Sequence, residues 1–360
     1  MVALAVSVPR TASATSSAPA NRAVQIWLAF VATLVFAMVV VGGATRLTDS
    51  GLSITEWQPL LGAIPPLSEG DWHAAFEKYK AIPEYSIVNA GMSLEAFKAI
   101  YWWEWSHRFL GRFIGIAFAL PFLFFWLTGR LRGWFAVKCL GVFALGGLQG
   151  AIGWYMVKSG LVDRIDVSQY RLALHLLTAF SILSLLVWLA LDAGPASDRV
   201  RLRTVTVGQR RTALALFLLV FAQSGLGALV AGLKAGLTYN TWPLMDGKLV
   251  PDGLLVQAPW YINFFENVTT VQFDHRMTAY AVVALALVHL WSLIRSADDE
   301  RIVGTAGLLT ACVLTQMLIG IWTLVSGVPL PLGLAHQAGA AVVIAVATLH
   351  LHAITRAAAR

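Results

Sequence analysis

Charge is scarce in this sequence: Asp, Glu, Lys and Arg make up only 12% of its 360 residues, against 58% hydrophobic. A soluble domain carries about twice that charge, so a water-exposed globular surface is excluded. Cysteine occurs only twice, as Cys139 and Cys312 inside apolar runs. That excludes a structural disulfide framework and a thiolate metal cluster, and both residues read as small packing groups. Alternation of polar with apolar residues is missing too, which excludes a membrane β-barrel.

What remains is apolar sequence in long continuous runs. They lie near 25–43, 109–128, 135–156, 172–191, 212–233, 275–294, 304–325 and 332–352, each close to the roughly 20 residues needed to cross the hydrocarbon of a bilayer. The expected fold is an all-α membrane protein with eight transmembrane helices. With the N-terminus inside, the inner segments hold 14 of the 26 Lys and Arg and 5 of the 19 acids, leaving 12 bases and 14 acids outside. The net charge of +7 therefore reports orientation, with both termini inside, and nucleic acid is a poor explanation for it. Residues 1–24 are rich in Ala and Ser with no acid. They read as a disordered cytoplasmic tail in preference to a mitochondrial transit peptide, and no cleavable secretory signal is evident.

An internal repeat divides the chain. LQGAIGWYMVKSG (148–160) lines up with TQMLIGIWTLVSG (315–327), pairing Gln149 with Gln316 and Gly153 with Gly320 at an offset of 167. The loop sequences GLSITEWQPLLG (51–62) and GLTYNTWPLMDG (236–247) echo each other as well. Two pseudo-symmetric four-helix bundles follow, over 25–192 and 212–352, joined by a basic inner linker at 193–211 and followed by a tail at 353–360. With four spans per half, the halves run in the same sense. In the long first outer loop, Ser68 is a plausible cap for a helix over 69–81 that stops before Pro83. A second helix starts after Ser93 and carries the Trp-rich stretch YWWEWSHRFLGR (101–112) into the membrane, where its indoles suit the interface.

Four of the eight histidines, His107, His175, His275 and His336, fall within the first few residues of the even-numbered spans, all in the outer leaflet. A lone histidine there would be unremarkable, but ionisable groups inside a membrane are costly and usually functional, and repeat-related pairs at one depth suit metal or haem. Two imidazoles without cysteine are a poor zinc or copper set and suit a haem iron between them. Gly111, Ala179, Ala279 and Ala340, each four residues on, leave room for a flat macrocycle. His73 is placed in a loop, and His289, His350 and His352 in interfacial or solvated positions at inner ends. Arg108 and Arg276, directly after their histidines, suit either haem propionates or outer-leaflet anchoring. The halves are not equal: Glu104 stands three residues before His107, where the second half has Gln272 before His275. Glu104 is either a proton acceptor beside a haem edge or a solvated acid at a helix N-terminus.

The run GGATRLTDSGLSITEWQPLLGAIPP together with EWSHR, YNTWPLM, FDHR and LAHQ resembles the haem A synthases, over roughly residues 25 to 352. The resemblance implies oxidation of the C8 methyl of haem O to the formyl of haem A through a hydroxymethyl intermediate. It places substrate haem O at His107 and His175, a resident haem b at His275 and His336, and the family's functional glutamate at Glu104. It also implies a multi-pass protein of the bacterial inner membrane, in preference to the mitochondrial one, with an electron donor and with haem O synthase and cytochrome oxidase assembly factors as partners. Some bacterial members carry a cysteine pair in the first outer loop. None occurs between residues 46 and 106, so the chain resembles the mitochondrial and alphaproteobacterial type. The competing expectations are a non-catalytic di-haem b cytochrome and a transporter with a histidine proton relay.

Overall fold

The computed structural model describes residues 21–58, 61–160, 167–194, 204–296 and 299–359. Most of the expected tail, and Arg10, Arg199, Arg201, Arg203 and Arg360 of the charge argument, lie outside the described residues. Helix α1 (Arg22–Leu47) is followed by α2 (Glu69–Lys80) and α3 (Pro83–Ile87), then by α4 (Leu94–Leu127), α5 (Gly133–Gly160) and α6 (Gln169–Ala193). The second half comprises α7 (Val207–Gly232), the one-turn α8 (Asn263–Glu266), α9 (Val268–Ser296), α10 (Glu300–Val325) and α11 (Leu330–Thr355). Eight of these, all but α2, α3 and α8, are long and apolar enough to span a membrane.

The spans form two rings with the same neighbour order. Helix α1 packs on α4 and α6, and α5 closes the ring by packing on the same two helices. In the second half α7 packs on α9 and α11, and α10 closes that ring in the same way. The rings meet where α6 touches α7 and α11 and where α1 touches α11. The core of this joint is apolar: Val31, Val35, Phe180, Leu183, Leu216, Ala341 and Ile344 belong to one buried cluster. A two-residue parallel pairing of Thr204–Val205 with Ala358–Ala359 ties the start of the second half to its end, so the expected tail at 353–360 is partly ordered.

Local chemistry explains the ends and the bends. Ser68 and Asp71 form a reciprocal capping box on α2, as the sequence suggests. Pro83 does more than stop α2, because it opens α3 at its first position, where its missing N–H costs nothing. The first long loop folds over its own core of Leu52, Trp72, Phe76, Tyr79, Ile82 and Phe97. Burial pushes the Tyr79 phenol up to about 12, and Asn89 donates to its oxygen at 2.7 Å. Within α4, Pro121 cannot donate to the carbonyl of Ala117, four residues back. The indole of Trp27 on α1 takes that carbonyl instead, at 3.0 Å.

Candidate haem-binding site

None of the four histidines lies in a first helical turn. His107 follows thirteen residues of α4, which begins at Leu94 outside the apolar run, and His275 follows seven residues of α9. His175 and His336 each follow six residues, of α6 and α11. All four are half-buried and lie toward the end of the bundle that carries the long loops.

Each imidazole rests against a glycine on an odd-numbered span, close enough that a methyl group there would touch the ring. A Cβ at Gly42 would lie 3.1 Å from His107 Nε2, one at Gly153 3.0 Å from His175 Cε1, one at Gly227 3.1 Å from His275 Cε1, and one at Gly320 2.7 Å from His336 Cε1. The spacing inside the second half fits a metal. The ring centres of His275 and His336 are 6.5 Å apart, and two imidazoles sharing one metal at about 2.0–2.1 Å per bond place their centres about 6.3 Å apart.

A second histidine pair shows what the wrong spacing looks like. His289 and His350 stand fourteen residues past the ligand candidates on the same two helices, each only 1% exposed, which corrects the interfacial or solvated placement. Their Nε2 atoms are 2.8 Å apart, with ring centres at 5.1 Å, a hydrogen bond with no room for iron. Thr212 lies 2.8 Å from His289 Nδ1, and Thr305 lies 2.9 Å from His350 Nδ1. Every ring nitrogen is thereby partnered, which is what a buried polar pair between apolar helices needs. His73 is also corrected, since it lies exposed on α2. His352 is bonded at 2.9 Å to Asp192, which Arg356 also reaches.

Arg108 and Arg276 are committed to loop backbone, at equivalent positions. Arg108 donates to the carbonyls of Ile54 at 2.8 Å and Glu56 at 3.0 Å. Arg276 donates to the carbonyls of Tyr239 at 2.7 Å and Thr241 at 2.9 Å. Those acceptors are related by the echo between the two loop sequences, so each guanidinium pins the loop after the first span of its half to the helix that carries its histidine.

At the place where the halves differ, Glu104 is 3% exposed and accepts from Arg108 Nε at 2.6 Å. It stands ten residues inside α4, beyond reach of the terminal dipole, which acts within the first turn. The solvated-acid reading therefore loses its basis. Gln272, 2% exposed, donates to the Tyr239 carbonyl at 3.2 Å, and Arg276 Nε is left unpartnered.

Sequence reasoning missed a set of glutamines. Gln149, Gln223 and Gln316 precede three of the four seat glycines by four residues, and each binds the main chain of the histidine seated there. The repeat had already paired Gln149 with Gln316 and Gly153 with Gly320. The shared Gln-x-x-x-Gly spacing was the signal that would have led to Gln223 and Gly227.

The chain matches the family described as "Cytochrome oxidase assembly protein" over residues 25–348. It is 52% identical over 336 residues to "Heme A synthase" of Parvibaculum lavamentivorans, covering 93% of this chain and 95% of that one. The protein of the same name from Azorhizobium caulinodans is 54% identical over 345 residues, covering 94% and 96%, and that of Chelativorans sp. is 53% identical over 340, covering 94% and 93%. With eight membrane-spanning helices in two like bundles and a match of this extent, the chain belongs to the cytochrome oxidase assembly protein family and, within it, to the haem A synthases.

Proposed function

We propose that this protein oxidises the C8 methyl of haem O to the formyl of haem A, through a hydroxymethyl intermediate, in the bacterial inner membrane with both termini in the cytoplasm. The bundle over 25–192 takes haem O between His107 and His175. The bundle over 212–352 keeps a haem b between His275 and His336, and the segment 193–211 links them on the inner side. Bound there, haem b supplies a one-electron relay between the oxidation site and an external electron donor. Haem O synthase, which makes the substrate, and cytochrome oxidase assembly factors, which receive the product, are the natural neighbours of such an enzyme.

The observation that carries this reading is the buried Glu104 of the first half, which stands where the second half has Gln272. A pure electron carrier has no need of a buried carboxylate one helical turn before a haem ligand in one half, with an amide in the same place in the other. Burying a charge is expensive unless it is paired, and Arg108 provides the pairing. The carboxylate is then available as a base or as an anchor for water beside the substrate, while Arg108 keeps the loop over 54–56 closed across that end of the site. The residual N–H groups of Arg108 and Arg276 are offered to haem propionates.

The test is to express the chain with and without a haem O source and to chromatograph the haems extracted from the purified protein. Hydroxymethyl and formyl haems appearing only when haem O is supplied support the enzyme. Haem b alone under both conditions would overturn it in favour of the electron carrier.

A further inference from the structure

The four histidines are not held alike. Gln149, Gln223 and Gln316 donate Nε2 to the main-chain carbonyls of His175, His275 and His336 at 3.0, 3.0 and 2.7 Å. In the second half the same nitrogen also lies 3.0 Å from His275 Nδ1 and 3.1 Å from His336 Nδ1. In all three glutamines the Oε1 atom is buried without a hydrogen-bond partner, and so is Nδ1 of His175.

A buried amide oxygen with no donor is costly; Gln272 carries one as well, but in Gln149, Gln223 and Gln316 it sits on the amide that is bonded to a seated histidine, which points to a donor that comes with ligand binding. An imidazole that binds iron through Nε2 carries its remaining proton on Nδ1, and that N–H requires an acceptor that fixes ring and tautomer. Each orphaned Oε1 belongs to the amide already lying against the histidine concerned. At His275 and His336 a turn of that amide brings the oxygen onto Nδ1–H in exchange for the bond to the main-chain carbonyl. At His175 the unpartnered Nδ1 and the unpartnered Gln149 Oε1 are the matching donor and acceptor, and which end of an amide is oxygen is settled by such partners.

The fourth histidine has no such arrangement. Met38 stands four residues before Gly42, as Gln223 stands before Gly227, and both pairs sit at the offset of 185 that relates the loop at 51 to the loop at 236. A thioether donates nothing and accepts weakly. The Met38 methyl instead packs toward Gly111, one turn after His107, where a Cβ would lie 3.2 Å from it. Among the described residues, no side chain is hydrogen-bonded to His107.

We propose that Gln149, Gln223 and Gln316 are positioning residues that accept the Nδ1–H of iron-bound His175, His275 and His336, and that His107, which has no amide brace, is the axial ligand that leaves iron. The proposal rests on the reading that these four histidines bind haem iron. It makes the two halves functionally unequal at a second place besides Glu104. A haem in the second half would be held by two braced histidines, whereas one in the first half would have a single braced histidine, His175, leaving His107, on the helix that carries Glu104, the one able to release it.

The test uses the purified protein carrying a haem in each half. On reduction, carbon monoxide is expected to bind the first-half haem and leave the second-half haem low-spin. Met38→Gln, nearly isosteric, supplies the missing amide and is expected to weaken carbon monoxide binding by up to about tenfold, the worth of one hydrogen bond. Gln149→Leu is expected to strengthen it. For the second half, Gln223→Leu is expected to move the haem midpoint potential positive and Gln223→Glu to move it negative, because a stronger acceptor makes imidazole a better donor to iron. Mere loosening of the fold would move both the same way. Carbon monoxide binding equally to both haems, no response to Met38→Gln, or shifts of one sign at Gln223 would overturn the proposal. Retention of the bis-histidine spectrum in both His275→Ala and His336→Ala would instead overturn the ligand reading beneath it, so the two failures are distinct.

Discussion

Arg108 donates its Nε to Glu104 at 2.6 Å, whereas Nε of Arg276, the matching arginine of the other half, has no partner. The two guanidiniums otherwise make the same pair of bonds to equivalent loop carbonyls. The carboxylate is therefore an addition to a shared scaffold and is dispensable to it, since Gln272 fills the same place in a folded half.

From this, Glu104→Gln is expected to keep the fold and both haem sites while abolishing haem A formation, with haem O and the hydroxymethyl intermediate accumulating on the protein. A carboxylate that served only as a partner for Arg108 would leave turnover near normal. Chromatography of the bound haems decides the matter, and a normal yield of haem A would remove Glu104 from the reaction.

Exchanging ligands should separate the halves. His275→Ala and His336→Ala are each expected to lose the resident low-spin haem b, while His107→Ala and His175→Ala keep it and lose haem A formation. Reduced-minus-oxidised spectra of the four variants provide the measurement. Equal loss of haem b from all four would indicate a di-haem carrier.

The glycine seats offer a test in which stability and binding move apart. In Gly320→Ala the added methyl meets His336 at 2.7 Å, so the imidazole must shift and low-spin haem should fall. Alanine is also the better helix former by about 1 kcal/mol, so the haem-free protein should melt no lower than wild type. Haem content and thermal melting of the same preparation test both halves of this expectation.

His289 and His350 are expected to serve packing alone. Replacing one with leucine strands its partner, at a cost of about 1–3 kcal/mol for a buried polar group left unpaired, whereas replacing both should recover much of that loss. Haem content should be unchanged in all three variants. Loss of haem from the double variant would assign the pair to a cofactor.

Much of this arrangement was legible in the chain itself. Apolar runs of bilayer length are a local property, and so are the cap at Ser68, the Trp-rich entry to α4 and the repeat linking Gln149 with Gln316. They determined the eight spans and the two like bundles, and they singled out four histidines as candidates. The start of α4 was legible as well: the helix expected after Ser93 begins at Leu94, capped by the Ser93 hydroxyl, fifteen residues before the apolar run, and it packs on the loop core around Phe76 and Phe97. What stayed open was whether Glu104, ten residues inside that helix, faces solvent or protein, and its burial decides it.

Only tertiary structure could decide the partners. Whether a histidine meets a glycine, an amide or another histidine depends on the rotation and depth of helices far apart in sequence, and apolarity is nearly uniform around helices that face lipid on one side and protein on the other. Thus His275 and His289, on one helix and alike by composition, differ in what faces them: His336 at the distance of a shared metal, His350 at the distance of a hydrogen bond. The same holds for Trp27, whose role as donor to the carbonyl that Pro121 leaves free exists only once α1 lies against α4.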